Sequence, residues 1–129
     1  MIQLSKRIVF TSKAPRPVGS YSQAVICNDL VFISGQISIN PQTQKIVQGG
    51  IETQTVQVLE NLKHILESIN LTLDDVVKTT VLLNDLGDFK LFNQVYSKYF
   101  KTNPPARTSS QAVLIAGALV EIDAIAKKH

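Results

Sequence analysis

The chain has 129 residues, of which 44% are hydrophobic and 18% are charged, and its formal net charge is +3. These values predict one globular domain over residues 1–129 and exclude a disordered chain. The longest apolar run, residues 112–120, is far too short to span a bilayer, and the N-terminal residues lack the apolar core of a signal peptide. Because Cys27 is the only cysteine, a disulfide framework and a multi-cysteine metal site are excluded. Together these features favour a cytoplasmic protein.

Three short runs rich in β-branched and aromatic residues predict the first strands: residues 7–11, 24–27 and 30–34. A loop with prolines and a glycine separates the first run from the second. Asn28 and Asp29 lie between the second and third runs, where they are typical of a hairpin turn. A further turn is predicted at residues 40–43, which contain a proline.

The apolar pattern changes to a helical period over residues 51–69, which predicts a helix of about 18 residues. Its apolar face is formed by side chains three or four positions apart: Thr55, Leu59, Leu62, Leu66 and Ile69. A strand is predicted at residues 76–83, with Val77, Thr79, Val81 and Leu83 on one face.

A second helix is predicted after Asp88, which is a suitable N-cap residue. Its apolar face is aromatic and consists of Phe89, Phe92, Tyr96 and Tyr99. The prolines at 104 and 105 end this helix. Two final strands, residues 107–115 and 119–126, are separated by Ala116 and Gly117.

The predicted order of elements is β-β-β-α-β-α-β-β. This order suits an α+β fold with two layers, in which two helices pack on one face of a six-stranded mixed sheet. The uncovered face of the sheet would carry apolar side chains such as Val25, Phe32 and Val113. Because an exposed apolar face of that size normally marks an interface, the sequence predicts a homo-oligomer.

Two charged residues, Arg107 and Glu121, lie in the last two apolar stretches. Strand interiors tolerate few charges unless the charges are paired. A guanidinium group presents a planar set of donors that fits a carboxylate, so Arg107 is predicted to anchor a carboxylate and Glu121 to act as an acid or base. The alternative from residue type alone is a structural ion pair between them.

A tight hairpin of the last two strands would place Glu121 opposite residue 112, about 17 Å from Arg107. No small ligand could contact both side chains at that separation. Either the hairpin is more complex, or the two residues of a site come from different subunits.

Five motifs occur in order, and the set is more specific than any one motif. They are Gly19-Ser20-Tyr21-Ser22-Gln23-Ala24, Ile33-Ser34-Gly35-Gln36-Ile37, Asp88-Phe89 with Asn93 and Tyr96, Pro105-Ala106-Arg107-Thr108, and Val120-Glu121-Ile122. With this set the chain resembles the reactive intermediate deaminase family, also called RidA/YjgF, over nearly its whole length. The resemblance implies a chorismate-mutase-like fold and a homotrimer with active sites in the clefts between subunits.

The resemblance also implies an activity. Members of this family hydrolyse reactive enamines and imines, such as 2-aminoacrylate and 2-iminopropanoate, to 2-oxo acids and ammonia. The chain would then be a 2-iminobutanoate/2-iminopropanoate deaminase that needs no metal and no organic cofactor. Its expected partner is a small imino acid.

The resemblance assigns site positions by motif. Arg107 would bind the substrate carboxylate and Glu121 would be catalytic, with these substrate-binding positions: Tyr21, Ser34, Gly35, Asn93, Arg107 and Ser109. Many members have a cysteine at the position of Ser109, so a cysteine nucleophile is excluded here.

The connection at residues 114–119 lacks a usual proline and is one residue shorter than in most members. We expect the turn to absorb this deletion, because the last strand keeps its pattern.

Two other functions remain open. One is a non-catalytic, metabolite-binding or regulatory module that senses small 2-oxo acids, and the other is an endoribonuclease-like activity. The basic residues are scattered, without a basic stripe that carries interleaved aromatic residues. The sequence therefore does not favour a nucleic-acid partner.

Overall fold

The computed structural model describes residues 6–129. The N-terminal residues, in which the sequence shows no signal-peptide pattern, lie largely outside this range. The strands are β1 (Lys6–Val9), β2 (Ala24–Cys27), β3 (Leu30–Gln36), β4 (Ile39–Asn40), β5 (Lys45–Ile46), β6 (Val76–Leu83), β7 (Ala106–Gln111) and β8 (Val120–Lys127). The helices are α1 (Ile51–Glu67) and α2 (Phe89–Tyr99). A six-stranded sheet has the order β1-β2-β3-β8-β6-β7, and β4 pairs with β5 separately.

The predicted α+β fold is confirmed. Only the β6–β7 pair in the large sheet is parallel, so the sheet is mixed as expected. Both helices bury their apolar faces against the sheet, and the core contains residues of α1, α2 and the strands. No helix among residues 6–129 has the length and apolar character that crossing a membrane requires.

Helix α1 forms where the apolar period predicts it, and it ends at Glu67. Thr55, Leu59, Leu62 and Leu66 are fully buried, which confirms the predicted face. The chain leaves the helix through Asn70, whose φ of 62° is the left-handed conformation that asparagine tolerates better than most residues. Ile69 packs against the core but is only partly buried.

Helix α2 begins at the predicted position, but the predicted role of Asp88 is wrong. Asp88 occupies the N-cap position without a hydrogen bond from its side chain to the helix backbone. The capping interaction lies one turn earlier, where the Asp85 carboxylate accepts the Gly87 N–H at 2.8 Å. A short 3-10 turn, Leu86–Asp88, precedes the helix, and the residue that caps this turn is Asp85.

Strand β6 has the predicted bounds, but Val77 is not on its buried face. A register shift between Val76 and Lys78 turns Val76 into the core and leaves Val77 exposed, while Thr79 is buried.

The turn predicted at residues 40–43 is part of a hairpin, β4–β5. The sequence did not predict this hairpin, because each of its strands has only two residues.

The last two strands do not form a hairpin. Strand β7 pairs in parallel with β6 at the edge of the sheet, whereas β8 lies between β3 and β6. The connection between them passes through a 3-10 turn at Ile115–Gly117. Along β8, residues alternate between buried and more exposed positions, so the strand keeps its apolar face on the core.

A row of apolar side chains crosses the sheet face opposite the helices. Cross-strand register aligns Ile8, Val25, Phe32 and Ile125 on adjacent strands. Ile8 and Phe32 are exposed in the single chain, and Val113 is exposed in the connection after β7. This row supports the homo-oligomer that the sequence predicts, because such a surface normally packs against another chain.

Candidate active site

Three of the predicted site residues line one pocket: Tyr21, Gly35 and Glu121. The pocket lies between the loop before β2, the end of β3 and the start of β8. The pocket is small, with a cavity volume of about 70 Å³. The loop contributes Arg16 to the same lining.

Glu121 lies directly over Gly35. A Cβ atom added to Gly35 would lie 2.7 Å from Oε2 and 2.9 Å from Cδ of Glu121. The register shift between Ile33 and Gln36 brings this part of β3 against β8. A larger residue at position 35 would therefore displace the carboxylate of Glu121.

We expect Gly35→Ala to lower kcat/KM by roughly a hundredfold, since the new methyl group displaces the Glu121 carboxylate and small misplacements of catalytic groups are costly. Steady-state assays with an imine substrate measure this change. Gly50→Ala is the matched control, because no atom lies within 4 Å of the added Cβ atom. Equal activity of both variants would contradict the proposed position of Glu121 in the site.

The environment of Glu121 favours its neutral form. Burial raises the pKa of the Glu121 carboxyl group above its ordinary value, and the charge of Asp123 raises it further. Asp123 lies two residues along β8, so both side chains point to the same sheet face. Among residues 6–129, no cation forms an ion pair with Glu121. The carboxylate is thus a stronger base than an exposed, paired glutamate.

The raised pKa of Glu121 predicts how activity falls on the acid side of the pH profile. If turnover requires the Glu121 carboxylate, kcat/KM falls as the pH drops through its raised pKa, above the ordinary value of 4.5. We expect Asp123→Asn to move this fall to lower pH, because it removes a negative charge that opposes ionisation. The control is Asp74→Asn, a change to an exposed acid outside the pocket. An unmoved acid limb would contradict the role of Glu121.

The loop before β2 is held by Gln23, which sequence reasoning did not identify. The Gln23 side chain is buried; its Oε1 accepts the Thr11 N–H at 2.7 Å, and its Nε2 donates to the carbonyl groups of Thr11, Ala14 and Pro15. The side-chain amide thus forms hydrogen bonds with the loop backbone of the kind that a neighbouring strand would otherwise form. Gln23 belongs to the first of the five motifs, but the motif does not indicate that its side chain holds the loop.

Tyr21 and Ser34 differ in what they contact. The Tyr21 ring is half exposed at the pocket, and its hydroxyl group lies 3.4 Å from the Val18 nitrogen. The Ser34 hydroxyl group instead donates to the Ser22 carbonyl at 2.6 Å, which ties β3 to the loop. Ser34 does not line the pocket, so in this chain it supports the loop that carries Tyr21.

Arg107 lies on β7, away from this pocket. Its Nη1 donates to Asn93 Oδ1 at 2.8 Å. Its guanidinium carbon lies 4.8 Å from the Tyr96 ring centroid and 5.3 Å from that of Phe89. The aromatic face of α2 and the amide of Asn93 therefore hold the guanidinium in one orientation, which leaves further N–H donors for a ligand.

Ser109 lies two residues after Arg107 on the same strand. Its hydroxyl group is buried and has no hydrogen-bond partner within residues 6–129. Buried polar groups are nearly always hydrogen-bonded. Ser109 is accordingly an exception to this rule, on the strand that carries Arg107.

Arg107 and Glu121 do not meet within one chain. Arg107 is aligned with Thr79 on the helix-covered face, and Glu121 is aligned with Leu82 on the opposite face. Two strand spacings and three residues separate their Cα atoms by roughly 14 Å. The alternative of a structural ion pair is thus wrong for the single chain.

Comparisons with known proteins match nearly the whole chain. The model of the family described as Endoribonuclease L-PSP matches residues 11–128. A RutC family protein of Saccharolobus solfataricus is 48% identical, over 95% of this chain and 98% of that protein. The human 2-iminobutanoate/2-iminopropanoate deaminase is 43% identical, over 98% of this chain and 93% of that protein. The crystal structure of Escherichia coli TdcF with bound serine has a TM-score of 0.91 at 36% identity, over 95% of this chain and 99% of that one.

Proposed function

The chain belongs to the Endoribonuclease L-PSP family, to which the RutC and RidA proteins belong, and from this premise we propose that it hydrolyses reactive enamines and imines to 2-oxo acids and ammonia. The RidA/YjgF resemblance in the sequence is confirmed. The specific substrates that we propose are 2-iminopropanoate and 2-iminobutanoate, which the name of the human relative specifies for that protein.

The observation that carries this proposal is the Glu121 carboxylate at the wall of the pocket. It is half-buried, its pKa is raised, and no cation among residues 6–129 neutralises it. Such a carboxylate suits a general base that accepts a proton from water. The serine bound to the E. coli relative is a ligand of similar size that also carries a carboxylate and a nitrogen atom on one carbon.

Two copies of the chain complete the proposed site. Arg107 and Glu121 lie on opposite faces of the sheet in one chain, so a ligand that binds both needs Arg107 from one subunit and Glu121 from another. The apolar row on the open face supports contact between copies. A homotrimer with clefts between neighbouring subunits meets this requirement through heterologous contacts.

The proposed reaction begins with the substrate carboxylate on the Arg107 guanidinium, which holds it through two parallel hydrogen bonds. This fixes the imine carbon near Glu121 of the neighbouring subunit. Glu121 accepts a proton from water as the water oxygen adds to the carbon of the protonated imine, which gives a neutral carbinolamine. Glu121 then returns this proton to the amine, the carbon–nitrogen bond breaks, and the hydroxyl group loses its proton to the departing ammonia, which leaves a 2-oxo acid and ammonium.

No covalent intermediate is needed in this scheme. Cys27, the only cysteine, ends β2 and does not line the pocket. Ser109 takes the place at which a cysteine is common in the family, so the nucleophile in our proposal is water. Imines also hydrolyse unaided in water, and the protein therefore has mainly to orient the substrate and move protons.

The other two functions that the sequence left open are not favoured. A metabolite-binding module would not need a base at the pocket wall. An endoribonuclease-like activity would depend on a surface for the RNA backbone and would weaken strongly with salt. The substrate-specific deaminase named for the human and rat relatives remains the best supported activity.

A coupled assay tests the proposal. A serine dehydratase generates 2-aminoacrylate, and semicarbazide traps the imine that has not been hydrolysed. We expect the protein to lower semicarbazone formation and to accelerate the appearance of pyruvate in proportion to its concentration. The absence of any effect at every protein concentration would overturn the proposed function.

A further inference from the structure

A buried pair of hydroxyl groups joins strand β6 to helix α2 next to Arg107. Thr79 Oγ1 and the Tyr96 hydroxyl oxygen lie 2.8 Å apart, and both residues are buried. Thr79 is also aligned with Arg107 in the parallel β6–β7 pair. The Arg107 guanidinium carbon lies 4.8 Å from the centroid of the Tyr96 ring. The two hydroxyl groups and the guanidinium therefore form one cluster across two strands and a helix.

The position of Thr79 would otherwise suit an apolar residue. Its side chain lies on the helix-covered face of β6, where Val81 and Leu83 are fully buried. Burying a hydroxyl group without a hydrogen bond is costly, and valine would fill the same space without that cost. The Tyr96 hydroxyl group satisfies Thr79, so the two residues depend on each other.

The hydrogen bond fixes the place of the Tyr96 ring. This ring lies between those of Phe92 and Phe100, whose centroids are 5.4 Å and 4.7 Å away. Aromatic contacts tolerate centroid distances of about 4.5–7 Å, whereas a hydrogen bond has a narrow range of length and direction. The bond to Thr79 thus sets the position of the ring face on which the Arg107 guanidinium rests.

The contacts that orient Arg107 do not neutralise its charge. They come from two aromatic rings and the Asn93 amide, and among residues 6–129 no carboxylate lies within ion-pair distance of the guanidinium. Burial raises the pKa of the Tyr96 hydroxyl group above its ordinary value of 10.0, so Tyr96 is uncharged at neutral pH. A phenolate would attract the guanidinium and compete with a substrate carboxylate.

We propose that Thr79 and Tyr96 are positioning residues, which hold the Arg107 guanidinium in the orientation that binds the substrate carboxylate. This inference rests on the proposed function of the same site. Tyr96 acts through the contact of its ring with the guanidinium, and Thr79 acts through Tyr96. Loss of the hydrogen bond leaves the charge of Arg107 in place but misdirects its donors, and small misplacements of binding groups are costly.

The test removes each hydroxyl group with a variant of nearly the same shape. We expect Thr79→Val and Tyr96→Phe to raise KM for 2-iminopropanoate by roughly threefold to tenfold, the equivalent of one hydrogen bond, with little change in kcat. The dissociation constant of pyruvate, measured by titration calorimetry, should rise by a similar factor, because pyruvate carries the same carboxylate. Tyr99→Phe is the matched control, since it removes a hydrogen bond of 2.8 Å to Glu60 from the same helix. It should leave both constants unchanged.

Further variants show whether the pair acts through Arg107. In the Arg107→Ala protein, Tyr96→Phe should lower kcat/KM no further, because no guanidinium remains to be oriented. The double variant Thr79→Val/Tyr96→Phe should regain the unfolding temperature that each single variant loses, since it leaves no buried hydroxyl group unpaired. Its KM should nevertheless stay raised, which separates the positioning role from stability.

The outcomes distinguish this inference from the function on which it rests. Wild-type KM and pyruvate affinity in folded Thr79→Val and Tyr96→Phe proteins would overturn the inference and leave the deaminase intact. An effect of Tyr96→Phe that persists in full without Arg107 would also overturn it, as would an equal rise of KM in Tyr99→Phe. Failure of the wild-type protein to hydrolyse the imine would instead contradict the proposed function, and the pyruvate titration would still report on the orientation of Arg107.

Discussion

Replacing Arg107 with alanine is expected to lower kcat/KM for 2-iminopropanoate by at least about a hundredfold. Two charge-assisted hydrogen bonds to the substrate carboxylate are lost, each of about 1.5–3 kcal/mol. The structure holds the guanidinium between Asn93 and the aromatic rings of α2, so it is oriented before the substrate binds. Steady-state kinetics with the semicarbazide assay measure the loss.

Two further variants separate the role of the donor arrangement from that of charge. Arg107→Lys keeps the charge but not the planar set of donors, and we expect it to recover only part of the activity. Lys98→Ala removes an exposed positive charge from α2 and should have no effect. The fold should survive Arg107→Ala, because the contacts with the rings contribute only about 0.5–1 kcal/mol each at an exposed site. Wild-type kinetics in a folded Arg107→Ala protein would contradict the proposed anchor.

Replacing Glu121 with glutamine is expected to reduce kcat by about 10²–10⁴-fold, the usual contribution of a general acid or base. Glutamine has nearly the same shape, so it fits over Gly35 and leaves the sheet unchanged. Because Arg107 still binds the carboxylate, KM should change little. The measurement is kcat and KM for 2-iminopropanoate, with the unfolding temperature recorded for the same protein.

The comparison with Gly35→Ala gives this prediction a second criterion. Both changes act on the same carboxylate, one by chemistry and one by displacement. The double variant should be little worse than Glu121→Gln alone, because no catalytic carboxylate remains to be displaced. Fully additive losses would show that Gly35 acts through something other than Glu121.

Much of the fold follows from the sequence because local patterns and burial agree. The bounds of β6 and the buried face of α1 match the predictions. The pairing of β7 does not follow from it. Two successive strands with a short connection suggest a hairpin, yet β7 pairs in parallel with β6. Only contacts between residues distant in sequence determine this pairing.

The candidate site shows the same division between local and long-range information. Motifs predict Arg107, Glu121 and Gly35 as site positions, but they do not reveal that the first two lie on opposite faces of the sheet. The positions of Gln23 and Arg16 at the site were not predicted, because they depend on which backbone groups and which cavity lie nearby in space. Register and loop position provide that information, and neither is encoded in a short motif.

We propose that each active site takes Arg107 from one subunit and Glu121 from its neighbour. The test uses two inactive variants, Arg107→Ala and Glu121→Gln, coexpressed with different affinity tags. Mixed oligomers are isolated by two successive affinity steps, and their imine hydrolysis is measured against the wild-type protein and each variant alone. In a cyclic trimer, each mixed oligomer contains one junction at which both residues are intact.

We expect the mixed oligomers to regain about one third of the wild-type activity, since a cyclic trimer of the two variants restores one of its three heterologous sites. A site built within one chain gives the opposite result, because every chain of the mixture then lacks one of its two residues. Mixed oligomers that remain as inactive as the separate variants would contradict the shared site.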